Sequence, residues 1–138
     1  MPTLFLIEDE TTLAKNIARF LERQGWDVEI AANAEDALQR IAAVGPDVIM
    51  VDFNLPGMDG LAALSILRER DPQARIVMLT GHANVQLAVD VMKAGTSEFI
   101  TKPVVLADLA RVLDRLVKDT RLRKEIAYFH AREAGGFD

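Results

Sequence analysis

The sequence predicts an α/β fold, a doubly wound five-stranded parallel sheet in the order 2-1-3-4-5 flanked by five helices. Three observations predict it. Apolar runs and amphipathic stretches alternate five times along the chain. The runs Leu4–Ile7, Val48–Val51 and Ile76–Leu79 are continuously apolar, as strands buried on both faces are. Each run stops at polar residues or turn chemistry, so the strand-to-helix loops gather along one sheet edge.

The first strand, Leu4 to Ile7, runs into Glu8-Asp9-Glu10. Leu13, Ile17, Phe20 and Leu21 recur at helical spacing, and Gly25 ends that helix. Trp26 to Ala31 is a shorter, less apolar strand and is expected at a sheet edge. Asn33 caps a second helix, with Asp36 at the capping-box position, and the helix ends near Gly45-Pro46. The third strand, Val48 to Asp52, stops at a carboxylate and gives way to Asn54, Leu55-Pro56-Gly57 and Asp59-Gly60. Asp59 is expected to cap the third helix, Gly60 to Arg70, with Leu61, Leu64, Ile66 and Leu67 inward, before Asp71-Pro72 breaks it. After Ile76 to Leu79 come Thr80-Gly81-His82. Asn84 caps a fourth helix reaching Ala94, with Val85, Ala88, Val89 and Met92 apolar and Gly95 as its stop. Glu98 to Thr101 is the fifth strand, closing at Lys102-Pro103, and a fifth helix runs from Val105 to about Lys118.

At 138 residues, one domain is expected. The absence of cysteine excludes a disulfide framework and thiolate metal sites, and fits the cytosol. The first apolar segment is too short for a signal peptide or a membrane span. A net charge of −5 argues against direct nucleic-acid binding by this chain.

The sheet edge would collect Glu8, Asp9, Asp52, Asn54, Thr80, Gly81, Lys102 and Pro103. Three like charges brought together need neutralising, and a hard divalent cation does this with carboxylate, carbonyl and water oxygens. A carboxylate can also attack phosphorus to give an aspartyl phosphate. Lys102 would pair with a phosphoryl oxygen, and Thr80 would donate its hydroxyl to another.

The ordered set IEDE, VDFNLPGMDG, MLTGH and FITKP resembles the receiver domain of two-component response regulators, of the CheY-like superfamily, from Leu4 to about Lys118. The resemblance implies a cytoplasmic phosphorylation switch. A sensor histidine kinase would pass a phosphoryl group to Asp52. Asp9, Asp52 and the Asn54 backbone carbonyl would hold Mg2+ (or Mn2+), with Glu8 acting through water. Thr80 and Lys102 fall at the family's hydroxyl and lysine positions, and Phe99 at its switch aromatic. The bond before Pro103 would be cis. Helix four, strand five and helix five would form the output face, and helices four and five a possible homodimer, with Leu109, Leu113 and Leu116 either in it or in the core.

Glu8 stands where Asp is common, Phe99 where Tyr is common, and Asn54 and His82 occupy the two variable positions beside the site. The run from Leu79 to Pro103 most resembles receivers of NtrC-like transcription activators, and secondarily FixJ-like ones. Residues 1–119 then form the receiver, and residues 120–138, with Leu122, Ile126 and Phe129 on one face, a helical linker toward an ATPase and DNA-binding output. A stand-alone receiver acting through protein contacts is the competing organisation. Two rivals are a Mg2+-dependent phosphohydrolase with an Asp nucleophile, against which Asn54 replaces the second catalytic Asp, and a binding domain independent of phosphorylation. The expected class is a signalling module, not a metabolic enzyme.

Overall fold

The computed structural model describes residues 1–81 and 84–118. Its elements are β1 (Thr3–Ile7), α1 (Thr11–Arg23), β2 (Asp27–Ala31), α2 (Ala34–Val44), β3 (Val48–Asp52), α3 (Gly60–Arg70), β4 (Arg75–Thr80), α4 (Val85–Lys93) and β5 (Glu98–Thr101). Residues 106–118 are helical again and are called α5. The strands pair in parallel in the order β2-β1-β3-β4-β5, as the sequence predicts.

Strand side chains alternate between the two sheet faces, so each apolar run supplies both core layers. Leu4, Leu6, Met50 and Leu79 pack on one face against Ile17 and Leu21 of α1 and Leu109 and Leu113 of α5. Phe5, Ile7, Val51 and Met78 pack on the other against α2, α3 and Val91 of α4. This double burial is why β1, β3 and β4 read as unbroken apolar runs. β2 is an edge strand, and its polar residues Asp27 and Glu29 are exposed. Among the described residues, no helix is long and apolar enough to cross a membrane.

Side-chain caps set several helix starts. The side chains of Asn33, Asp59 and Asn84 accept the N–H groups of Asp36, Ala62 and Leu87 at 2.8, 2.7 and 2.8 Å. Gly45 ends α2 in the left-handed conformation, with φ 60°.

One expectation is corrected by packing, and one open alternative is decided. Ile66 is half-buried outside both core layers, while Gly60, Ala63, Leu64 and Leu67 form the buried face of α3. Those four lie at i, i+3, i+4 and i+7, one continuous stripe, and Ile66 projects beside it. Leu109, Leu113 and Leu116 are buried in the core, so they are not available as a dimer surface. His82 and the proposed linker, residues 120–138, lie outside the described residues.

The Asn33 cap predicts a modest stability effect. Asn33→Ala should lower unfolding stability by about 1 kcal/mol and Asn33→Ser should largely preserve it, as read from urea denaturation midpoints.

Candidate functional site

Three strand ends place the polar groups. β1 leads into Glu8 and Asp9, β3 ends on Asp52 and β4 on Thr80. Main-chain pairing continues past the strands: the Glu8 N–H donates to the Ala31 carbonyl at 3.0 Å, the Phe53 N–H to the Leu79 carbonyl at 2.8 Å, and the Lys102 N–H to the Thr80 carbonyl at 2.7 Å. These bonds carry the register of the sheet into the loops and hold Asp52, Thr80 and Lys102 along one edge.

Asp52 is only 2% exposed. Its Oδ1 accepts the Asn54 N–H at 3.1 Å, an Asx turn that orients the carboxylate from within its own loop. Lys102 Nζ donates to Glu8 Oε1 at 2.9 Å and to Asp52 Oδ2 at 3.3 Å. One ligand oxygen from each of Glu8, Asp9 and Asp52 lies within 4.8 Å of the others. Glu8 and Asp52 are buried, and Asp9 is exposed. Glu8 Oε2 is buried without a hydrogen-bond partner. Clustered hard oxygen donors, one of them buried and unsatisfied, fit a Mg2+-type cation, which takes one or two carboxylates together with carbonyl and water oxygens.

The loop after Asp52 closes tightly. Gly60 N–H donates to the Phe53 carbonyl at 2.7 Å. A Cβ at Gly60 would stand 2.4 Å from Phe53 Cα and 2.7 Å from the Asp52 carbonyl oxygen. Only glycine lets α3 start this close to the backbone of Asp52. The role of Gly60 and the Asn54 N–H were not singled out from the sequence, although an Asp followed two residues later by a turn residue is the signal for such an Asx turn.

Thr80 is fully buried, Phe99 is half-buried against the α2/α3/α4 core layer, and the Lys102–Pro103 peptide is cis. Thr80 and Thr101 are register partners, as are Met78 and Phe99, so the hydroxyl position and the aromatic lie on neighbouring strands.

Burial, and then the adjoining Asp52 carboxylate, push Glu8 up to about 8, against the pull of Lys102. Lys102 is raised: desolvation opposes its charge, but Glu8 and Asp52 outweigh it.

The family model of the response regulator receiver domain matches residues 4–114. The chain belongs to this family. The receiver domain is 34% identical over 125 residues to the nitrogen assimilation regulatory protein NtrX of Azorhizobium caulinodans, an alignment covering 89% of this chain and 28% of that protein. It is 28% identical over 127 residues to the regulatory protein AtoC of Escherichia coli, covering 92% of this chain and 28% of that one. The receiver thus spans little more than a quarter of these relatives' lengths. A CheY-like receiver structure from Methanospirillum hungatei superposes with a TM-score of 0.85 at 27% identity, covering 89% of this chain and 98% of the other. NtrX from Brucella abortus gives 0.85 at 29%, covering 94% and 30%.

Two outcomes are expected of the receiver's site. In the fold, Glu8 keeps a proton up to about pH 8, whereas in the unfolded chain it loses it near 4.5. Its contribution to stability is therefore complete below the lower value and lost as pH rises through the upper one. Thermal melts in a chelating buffer should show stability falling across this interval, and Glu8→Gln should flatten the decline; equal slopes would contradict the assignment. Separately, Gly60→Ala should destabilise the domain by roughly 1–3 kcal/mol through overpacking, measured by urea unfolding.

Proposed function

We propose that Asp52 is a phosphoacceptor and that this receiver domain is a phosphorylation switch served by a sensor histidine kinase. The observation that carries it is the setting of Asp52: one oxygen held by the Asn54 N–H at 3.1 Å, the other facing Lys102 at 3.3 Å. An oriented carboxylate with a fixed cation beside it is prepared for phosphorus.

An Asp52 oxygen attacks the phosphorus of a kinase phosphohistidine. The P–O bond forms as the P–N bond breaks, and the departing imidazole takes up a proton. Glu8, Asp9, Asp52 and the Asn54 carbonyl would hold Mg2+ or Mn2+, which when bound supplies positive charge to the phosphoryl oxygens. Lys102 transfers its pairing from Glu8 to a phosphoryl oxygen, and the Thr80 hydroxyl donates to another. Water attack on phosphorus later restores the carboxylate and releases inorganic phosphate.

A phosphoryl group adds about −1.5 to −2 charge to the end of β3. As Thr80 moves toward it, Phe99 turns into the vacated space and the face of α4, β5 and α5 changes shape. Val85, Val89 and Met92 form an exposed apolar stripe on α4, 81%, 38% and 56% exposed, which suits a surface read by another domain. Relatives such as NtrX, AtoC and the C4-dicarboxylate transport transcriptional regulatory protein DctD, of which this chain spans 28%, 28% and 25%, support a fused output domain controlling transcription.

Acetyl phosphate with Mg2+ should add one acid-stable, base-labile phosphoryl group, seen by intact mass and lost in Asp52→Asn. A wild-type chain left unmodified overturns this function.

A further inference from the structure

The turn between α4 and β5 is fastened far more firmly than the helix that enters it. Arg68, on α3, is the main fastener. Its Nε and Nη2 donate to the Gly95 carbonyl at 3.2 and 2.6 Å, and its Nη1 donates to the carbonyls of Asp71 and Pro72 at 3.3 and 2.9 Å. One guanidinium thus joins the end of α3 to the end of α4. Gly95 has φ +99°, and a Cβ there would come within 2.9 Å of Arg68 Nε, so the grip depends on glycine.

The next two residues are tied to β4. The Ser97 N–H donates to the Ile76 carbonyl at 2.7 Å, and the Ser97 hydroxyl oxygen accepts the Ile76 N–H at 3.1 Å. The Thr96 hydroxyl, in a residue only 7% exposed, lies within hydrogen-bond distance of the Ile76 and Glu98 carbonyls at 3.1 and 2.8 Å.

The other end of α4 is different. Val91, in its C-terminal half, is its buried residue. Val85 and Gln86 are exposed. Among the described residues, the side-chain bonds of the first turn stay within the segment, from the Leu87 N–H to Asn84 and from Gln86 to Asp90. A nine-residue helix is about 13 Å long. Among the described residues, Leu87 packs half-buried against the α2/α3 core layer at this end, where the other end has fully buried Val91 and the bonded turn. A rod held more firmly at one end responds to a push by swinging, and its less firmly held end travels furthest.

We propose that Arg68 and the Gly95-Thr96-Ser97 turn form a fixed pivot, so that loading of Asp52 swings α4 by its N-terminal end while its C-terminal end stays on the sheet. The pivot rests on the phosphoacceptor function proposed above. Arg68 is a positioning residue: it touches none of the reacting groups and acts by deciding which part of the output face moves. The anchor also shields the entry into β5, and so the register that sets Phe99 and Lys102.

Amide hydrogen exchange by mass spectrometry on the whole chain, with and without beryllofluoride and Mg2+, tests this, with bound fluoride followed by 19F NMR. In the wild type, the mimic should change exchange at residues 85–89 and leave residues 91–97 as they were. In Arg68→Ala, amides of Gly95 to Ser97 should exchange about tenfold faster before any addition, the factor for losing one to two net hydrogen bonds. The change caused by the mimic should then spread through residues 91–97. Arg68→Lys keeps the charge and loses the fork, and should behave like the alanine variant. Bound fluoride with an even response from 85 to 97 in the wild type overturns the pivot alone, and this arm stands even if a variant fails to fold. An Arg68→Ala pattern identical to wild type overturns it as well. No bound fluoride overturns the phosphoacceptor function, and the pivot with it.

Discussion

The contact on which the candidate site depends is the ammonium group of Lys102 between Glu8 and Asp52, at 2.9 and 3.3 Å. It joins residues from three different strand ends. Burial and the adjoining Asp52 raise the cost of ionising Glu8, and the ammonium group placed against it offsets part of that cost. The β-sheet makes the contact possible. β1, β3 and β4 are buried on both faces, so their ends are fixed to within the precision of the core, and Lys102 is held beside them by its backbone bond to Thr80. The same packing that stabilises the fold therefore determines the spacing of the site.

That arrangement also explains how one chemical event can have a distant effect. Asp52 is linked through the sheet to Thr80, Thr80 is the register partner of Thr101, and Phe99 lies two residues before Thr101 on the same strand. The phosphoryl group proposed for Asp52 would compete for Lys102 and Thr80, which stand at the ends of β5 and β4. The output face proposed here lies beside that edge, and of its two helices α4 buries one residue, Val91, where α5 buries five. A loosely packed helix next to a charge-sensitive site is the kind of element that switches at low cost.

Much of this was legible in the sequence because burial on both faces leaves a one-dimensional signature. The apolar runs ending at Asp52 and Thr80 gave strand, direction and site position together, and Asn33, Asp59 and Asn84 gave the helix starts. Less legible was anything that depended on a long side chain crossing between elements. Lys102 was expected to face a phosphoryl group, but its pairing with Glu8 needs the distance between two loops nearly a hundred residues apart. Arg68, within the charged run Arg68-Glu69-Arg70, carried no signal of its contacts, because sequence spacing does not show that three carbonyls converge within its reach. Ile66 was misplaced for a related reason: an apolar residue adjoining a buried stripe looks like part of it until Ala63 is seen to take the inward position.

The central claim is that Lys102 supplies positive charge to the same carboxylates that would hold a divalent cation, so lysine and cation compete until a phosphoryl group draws the lysine away. Calorimetric titration of Mg2+ into the wild type and Lys102→Met tests this most directly. Removing the competing charge should tighten Mg2+ binding by about tenfold, equivalent to roughly 1.4 kcal/mol. Unchanged or weaker binding in Lys102→Met would contradict the account.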